Sequence, residues 1–293
     1  MIATRQTEPA VTTRSYVHLL RAANDLFQGE TFDRLVPRAR GVQSVPTGAT
    51  RLDPIAATEV LGLDFVRRGG KYSRPFITLA TYDALTGGKA TLPSGAESIS
   101  QFPDGVLRGA LSIEMFHKAS LVHDDIEDDD GYRYGEPTMH RRYGLATAIN
   151  VGDYLIGLGY RLVSRDAAAL GPAVAAEILD CLAGAHTRLA EGQGAELMWR
   201  DAGDKRLTPL DALKVYALKT APAFEAALFT GARLAGEVGE MAEPLRIFAR
   251  NIGVAFQILN DLNDWQGDQH NKLEAGGDVL GSRPTLLWAL ALT

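Results

Sequence analysis

Cysteine is all but missing from this chain, with Cys181 the only one among 293 residues. No intrachain disulfide can form, so packing must hold the fold, and a reducing, cytoplasmic setting is expected. Blocks of lysine and arginine are missing as well. With 30 basic against 36 acidic residues and a formal net charge of -6, the chain carries no electrostatic footprint for nucleic acid. No run approaches the roughly 18 apolar residues that a membrane-spanning helix needs. Residues 1–13 lack the apolar core of a secretion signal and are expected to form a flexible N-terminus. Strand signals are nearly absent too.

Helical periodicity is what remains, and it dominates. Apolar residues recur at three- and four-residue spacing near 14–28, 55–68, 72–85, 105–128, 145–165, 172–199, 209–236, 241–266 and 283–292. Thr208-Pro209 with Asp211 is a good helix entry, and Gly87-Gly88 is a good exit. Loops rich in Gly, Pro and Ser are expected at 39–54, 87–104 and 129–144. The chain is 46% hydrophobic and 23% charged and shows neither an internal repeat nor a linker. This predicts one all-α domain over 14–293, built as a helical bundle. The chain stops inside an apolar run beginning at Thr285, so its C-terminal helices are expected to be cut short.

Two acidic segments stand out, Asp124-Asp125-Ile126-Glu127-Asp128 and Asn260-Asp261-Leu262-Asn263-Asp264. In each, the first and last positions lie four apart, on one helix face and about 6 Å along the axis. So many carboxylates repel one another unless water or cations screen them. A calcium loop of the EF-hand type fails. Placing Gly131 sixth puts Ile126 first and Pro137 twelfth, where oxygen ligands are required. Mg²⁺ fits better, since it takes one or two carboxylates with waters and phosphates. Asp124 and Asp128 would then reach the ions, with Asp125 in support. Asp129 and Asp130 are expected to be solvated.

Basic residues give such ions a reason to exist. Gly69-Gly70-Lys71-Tyr72-Ser73-Arg74-Pro75 sets a flexible turn and two cations at a helix start, a place suited to an anion. Arg133 follows the first acidic segment, and Lys219-Thr220 adds a charge and a hydroxyl.

Together with Glu114 and the residues up to Asp128, Arg133-Tyr134-Gly135-Glu136-Pro137-Thr138-Met139-His140, Gly192-Gln193 and Phe256-Gln257-Ile258, these segments resemble the trans-isoprenyl diphosphate synthase (polyprenyl synthetase) family. The matches run in family order from about 60 to 285. The resemblance implies a helical bundle around a deep central cavity, packed as a homodimer, and a prenyltransferase joining isopentenyl diphosphate to an allylic prenyl diphosphate. Three Mg²⁺ ions would be held by Asp124, Asp128, Asn260, Asp261 and Asp264, with Asp125 alongside. Gly70, Lys71, Arg74 and His117 match the pocket for isopentenyl diphosphate. Arg133, Lys219, Thr220 and Gln257 match contacts to the allylic diphosphate and its metals, and Lys272 is the nearest candidate for a further substrate-binding lysine. Gln193 and Glu196 resemble a polar pair near those metals. Asp124, Asp125, Asp128, Arg133, Lys219 and Asp261 would carry the catalytic steps. No protein nucleophile is required, in keeping with the lack of a Ser-His-Asp or Cys-His constellation.

Four positions depart from the pattern. Tyr134 stands where the family usually has an arginine that helps bind isopentenyl diphosphate, so weaker binding is expected, to be restored by Tyr134→Arg. Asn260 replaces an aspartate. Lys272 is displaced from the usual lysine position, and Arg283 stands in for a later one. These changes keep two other readings open: a terpene synthase-like enzyme that ionises a prenyl diphosphate without condensation, and a non-catalytic subunit of a hetero-oligomer. Retention of Lys71, Arg74 and His117 argues for condensation. Ala119 and Ser120, about one turn before Asp124, are small enough either to leave a tail cavity open or to allow close helix packing. Phe116 could floor that cavity, and a product of C20 or longer is expected.

Overall fold

The computed structural model describes residues 15–36, 53–266, 271–273 and 275–292. The N-terminal stretch 1–13 and most of the expected loop 39–54 lie outside the described residues. The chain begins with α1 (Val17–Asp25) and α2 (Gly29–Leu35), then α3 (Ala57–Arg67), α4 (Ser73–Leu85) and the short α5 (Gly95–Ile99). The long α6 (Asp104–Glu127) follows. After it come α7 (Met139–Tyr143), α8 (Leu145–Ser164), α9 (Ala167–Leu170), α10 (Pro172–Asp201), α11 (Pro209–Lys219) and α12 (Ala221–Ala235). The last elements are α13 (Ala242–Gln266), α14 (Gly277–Leu280) and α15 (Leu286–Ala291). This is the all-α bundle expected from periodicity.

The centre of the bundle is α6, which packs against α8, α4 and α12, while α12 reaches on to α10 and α13. Leu111, Met115, Ala119 and Val122 of α6 join Phe27, Phe32, Leu79 and Leu155 in the main core. Ile113 meets Ile178, Leu182 and Ala227 in a second apolar cluster. A third joins Phe224 and Leu228 to Ala249. No helix among the described residues is long and apolar enough to cross a membrane.

Local chemistry sets the boundaries. Thr208 accepts a hydrogen bond from the Asp211 N–H at 3.2 Å, with Pro209 in the first turn of α11. The expected single helix over 209–236 is instead two. Pro222 lacks an N–H and cannot continue the ladder, so the chain breaks at Thr220. The expected loop 87–104 holds a 3₁₀ turn at Lys89–Thr91 and then α5. It is anchored where buried Ala90 donates its N–H to Asp83 Oδ1 at 2.9 Å. The expected loop 129–144 contains α7 and a hairpin of β1 (Tyr132–Arg133) and β2 (Glu136–Pro137), with Arg133 opposite Glu136. Its two-residue turn, Tyr134-Gly135, has φ of 56° and 76°, the pairing that matches the twist of a tight hairpin.

Candidate active site

One face of α6 is left open by this packing. Phe116 and His117, then Ser120, Asp124 and Asp128 at further steps of three or four residues, are all half-buried. Ala119 turns the other way and is 1% exposed in the core, so its small size serves helix packing. Asp125 is buried. Its Oδ1 accepts from Arg133 Nε at 2.9 Å and from Nη2 as well, while its Oδ2 has no partner. Arg133 thus ties the hairpin to α6. Asp128 takes Arg200 at 3.2 Å and Arg283 at 3.0 Å. Asp129 is exposed as expected, paired with Arg141 at 2.7 Å. Asp130 is not solvated. Lys272 at 2.5 Å, Arg283 at 3.2 Å and Arg133 at 3.5 Å surround it, because distant segments bring cations that local sequence does not reveal.

The second acidic segment closes α13. Asn260 and Asp264 are half-buried, while Asp261 between them is 2% exposed. Asp261 differs from the expectation of an open metal oxygen. It accepts from the Tyr216 hydroxyl and from Gln257 Nε2 at 3.1 Å, and Gln257 in turn accepts from Thr220 Oγ1 at 3.2 Å. Asp264 Oδ2 accepts the Asp278 N–H at 3.0 Å. Arg283 then links the segments, pairing with Asp278 at 3.0 Å through Nη1 and with Asp128 through Nη2. A continuous chain of contacts therefore runs from Asp128 to Asp264. Lys219, from the end of α11, pairs with Glu196 at 2.9 Å on α10. Gln193, one turn earlier, is buried and donates to Glu127 at 2.7 Å.

The fields follow from this crowding. Burial pushes the Asp124 carboxyl up to about 6, against the pull of Lys219. Burial likewise lifts Asp261 to about 6, opposed by the Tyr216 hydrogen bond. Although burial disfavours its charge, Glu196, Asp124 and Asp128 hold Lys219 above the usual lysine range. His117 falls well below its ordinary value through burial, with Arg74, Lys118 and Arg133 adding to the effect.

The glycine turn lies at the start of α4. Gly69, Gly70 and Tyr72 have φ of 49°, 113° and 45°, and no side chain caps the helix. Lys71 is exposed, with its ammonium 5.8 Å from the Phe256 ring. Arg74 is 8% exposed, its guanidinium 5.1 Å over the Phe224 ring and its Nε without a partner. Uncapped N–H groups with two cations favour an anion here.

Phe116 closes the α6 face two turns before Asp124, its ring 4.7 Å from that of Tyr160 and 5.9 Å from that of His186. A shallow pocket lies elsewhere, against the hairpin, lined by Phe65, Arg68, Arg133, Tyr134 and Tyr143 among others. It is separate from the space expected beneath Asp124.

The donor set suits a hard cation. Every side-chain atom offered by Asp124, Asp128, Asn260 and Asp264 for that purpose is an oxygen, and Asp125 Oδ2 is a buried oxygen still lacking a partner. Among the described residues no three carboxylate, imidazole or thiol side chains meet as a ready cage. Mg²⁺, which keeps waters and shares phosphate oxygens, does not need one.

Sequence reasoning missed several contributors. Arg200 holds Asp128, Tyr216 holds Asp261, and Asp278 joins Arg283 to the second segment. Spacing held the signal: Arg200 is one turn after Glu196, and Tyr216 one turn before Lys219. Lys118 went unremarked although it lies one turn after Glu114.

The polyprenyl synthetase family model matches residues 60–293. The chain is 34% identical over 227 residues to geranylfarnesyl diphosphate synthase of Natronomonas pharaonis, covering 75% of this chain and 64% of that protein. It is 31% identical to farnesyl diphosphate synthase of Bacillus subtilis, covering 78% and 73%. A polyprenyl synthase from Caulobacter crescentus, solved with calcium and isoprenyl diphosphate, superposes with a TM-score of 0.73 at 28% identity, covering 96% of this chain and 75% of that one. The chain spans 62% to 64% of the length of several such curated relatives.

Proposed function

Because the chain belongs to the polyprenyl synthetase family, we propose that it condenses isopentenyl diphosphate with an allylic prenyl diphosphate, extending the chain by one five-carbon unit per cycle. The observation that carries this reading is the convergence of the two acidic segments through Arg283 and Asp278, with Lys219 between α10 and α11 facing the same space. Mg²⁺ would be held by Asp124, Asp128, Asn260 and Asp264, with Asp125 and Asp261 behind them, and would supply neutralisation of diphosphate oxygens. Lys219, Lys272 and Arg283 provide fixed positive charge around the same diphosphate. Thr220 and Gln257 orient Asp261, and Arg133 orients Asp125.

The allylic C–O bond breaks, and its electron pair leaves with the diphosphate. Charge that develops there is met by cations already in place, which lowers the barrier without reorganisation. Isopentenyl diphosphate is held by its own diphosphate at Gly70, Lys71 and Arg74, with His117 alongside. Its double bond then forms the new C–C bond to the allylic carbocation. Release of a proton to the departed diphosphate restores the alkene. His117, neutral through burial, acts here as a hydrogen-bonding group rather than a charge.

The test is direct. Purified protein with Mg²⁺ is given C5, C10, C15 or C20 allylic diphosphates, with and without isopentenyl diphosphate. Longer prenyl diphosphates, C20 or above, are the expected products. Free alcohols or hydrocarbons made without the second substrate would mean ionisation alone, and no turnover by a folded protein would point to a subunit.

A further inference from the structure

Lys118 is fully buried, a costly place for an ammonium. It sits among three aromatic rings, 5.4 Å from that of Phe65, 5.6 Å from Tyr72 and 4.2 Å from Tyr134. Glu114, one turn earlier on α6, is the carboxylate in its field, and Glu114 Oε2 is itself buried without a partner. An apolar residue would fill this space more cheaply. What the ammonium does is donate three hydrogen bonds: to the Arg68 carbonyl at 2.6 Å, the Gly69 carbonyl at 2.8 Å and the Tyr134 hydroxyl at 3.1 Å. That is the whole donor capacity of a lysine.

Those bonds decide which way the glycine turn faces. A trans peptide points its N–H opposite to its C=O. Turning the carbonyls of Arg68 and Gly69 inward therefore turns the N–H groups of Gly69 and Gly70 outward. Both glycines are exposed, and neither N–H has an acceptor among the described residues. Two successive outward N–H groups, followed by Lys71 and Arg74, form a concavity for a phosphate group. The Tyr134 hydroxyl lies beside Gly70. A Cβ added at Gly70 would lie 3.4 Å from that oxygen and 3.5 Å from Lys118 Nζ. Since the hydroxyl accepts from Lys118, its own hydrogen is left to donate.

We propose that Lys118 is the positioning residue of this diphosphate cradle, holding the Gly69-Gly70 N–H groups outward and making Tyr134 a directed donor in place of an arginine. This rests on the condensation reading above. Lys118 acts through the turn and through Tyr134, and does not touch the substrate itself. It also reverses the expectation for Tyr134→Arg. A guanidinium at 134 would meet the ammonium that now lies 3.1 Å from the Tyr134 oxygen, so the substitution alone should weaken the cradle.

The experiment uses Lys118→Met, Tyr134→Phe and the double variant. Lys118→Met should raise KM for isopentenyl diphosphate about tenfold, with kcat and the allylic KM little changed. The double variant should be no worse than Lys118→Met. Inorganic pyrophosphate titrated into ¹⁵N-labelled wild type should shift the Gly69 and Gly70 amides, and Lys118→Met should lose that shift. An unchanged KM, an equal rise in both KM values, or amide shifts that persist in Lys118→Met would overturn the proposal. Should Lys118→Met not fold, Tyr134→Phe must still raise the isopentenyl diphosphate KM selectively, or the proposal fails. If the wild type makes no longer product while pyrophosphate still shifts both amides and Lys118→Met abolishes the shift, condensation falls and the cradle stands.

Discussion

A histidine buried beside Arg74, Lys118 and Arg133 has little reason to accept a proton. In the folded protein the His117 imidazole should keep its neutral NMR signature through the pH range where an ordinary histidine takes up its proton. The unfolded chain takes up that proton near the ordinary value of about 6.5. Below it the unfolded state binds more protons at this position, so stability falls as the pH falls. His117→Gln removes this contribution, and its urea midpoint should decline less from pH 7 to 5 than that of the wild type. Ser120, half-buried and one turn from Asp124, lies on the same open face of α6. Ser120→Phe is expected to shorten the product distribution, read by chromatography of the dephosphorylated alcohols. An unchanged distribution would remove it from the wall. At this scale the sequence was informative wherever chemistry is local: the aspartate spacing, the glycine turn and the Lys219-Thr220 pair are each written in neighbouring residues. It placed Asp130 in solvent, because its partners Lys272 and Arg283 lie more than a hundred positions away in the chain, and it was silent on Lys118, whose burial no local pattern signals.

Helices meet here at small residues, and those meetings set the reach of the charged ones. At Gly192 a Cβ would stand 2.5 Å from the Lys219 backbone nitrogen and 2.8 Å from its Cα. Both are backbone atoms and cannot swing aside, so Gly192→Ala must push α10 and α11 apart. A loss of about 1–3 kcal/mol is expected from overpacking, measured by chemical denaturation. Activity should fall further than stability accounts for, since Lys219 and Glu196 lie across that contact. Unaltered kinetics would show that the α10–α11 distance does not set the position of Lys219. The long helices were legible because their apolar stripes are long. The break at Thr220 was not, since the apolar pattern runs through Pro222 without a gap. The hairpin was missed for a different reason. Two-residue strands have no periodicity to read, and a Tyr-Gly turn with positive φ at tyrosine is set by Lys118 and Asn271, which accepts the Tyr134 N–H at 3.0 Å.

Taken whole, the molecule gathers acidic groups from α6 and α13 around one space, and basic side chains on α10, α11 and the segment after α13 now hold them there. Such an arrangement should gain from further cations, because desolvation lifts Asp124 and Asp261 to about 6 and so disfavours their charged forms. Mg²⁺ with inorganic pyrophosphate should therefore stabilise the fold jointly, by about 2.7 kcal/mol at a hundredfold excess over Kd. Either component alone should do much less, because the anion adds to the repulsion and the ion lacks a full set of oxygens. The thermal midpoint reports this directly. Asp128→Asn and Asp264→Asn, from opposite sides of the space, should each abolish most of the joint effect. If Asp264→Asn left it intact, the ions and the diphosphate would be held by α6 alone. The contact chain through Arg283 and Asp278 would then be only structural, and the case for an ionising site would fail with it.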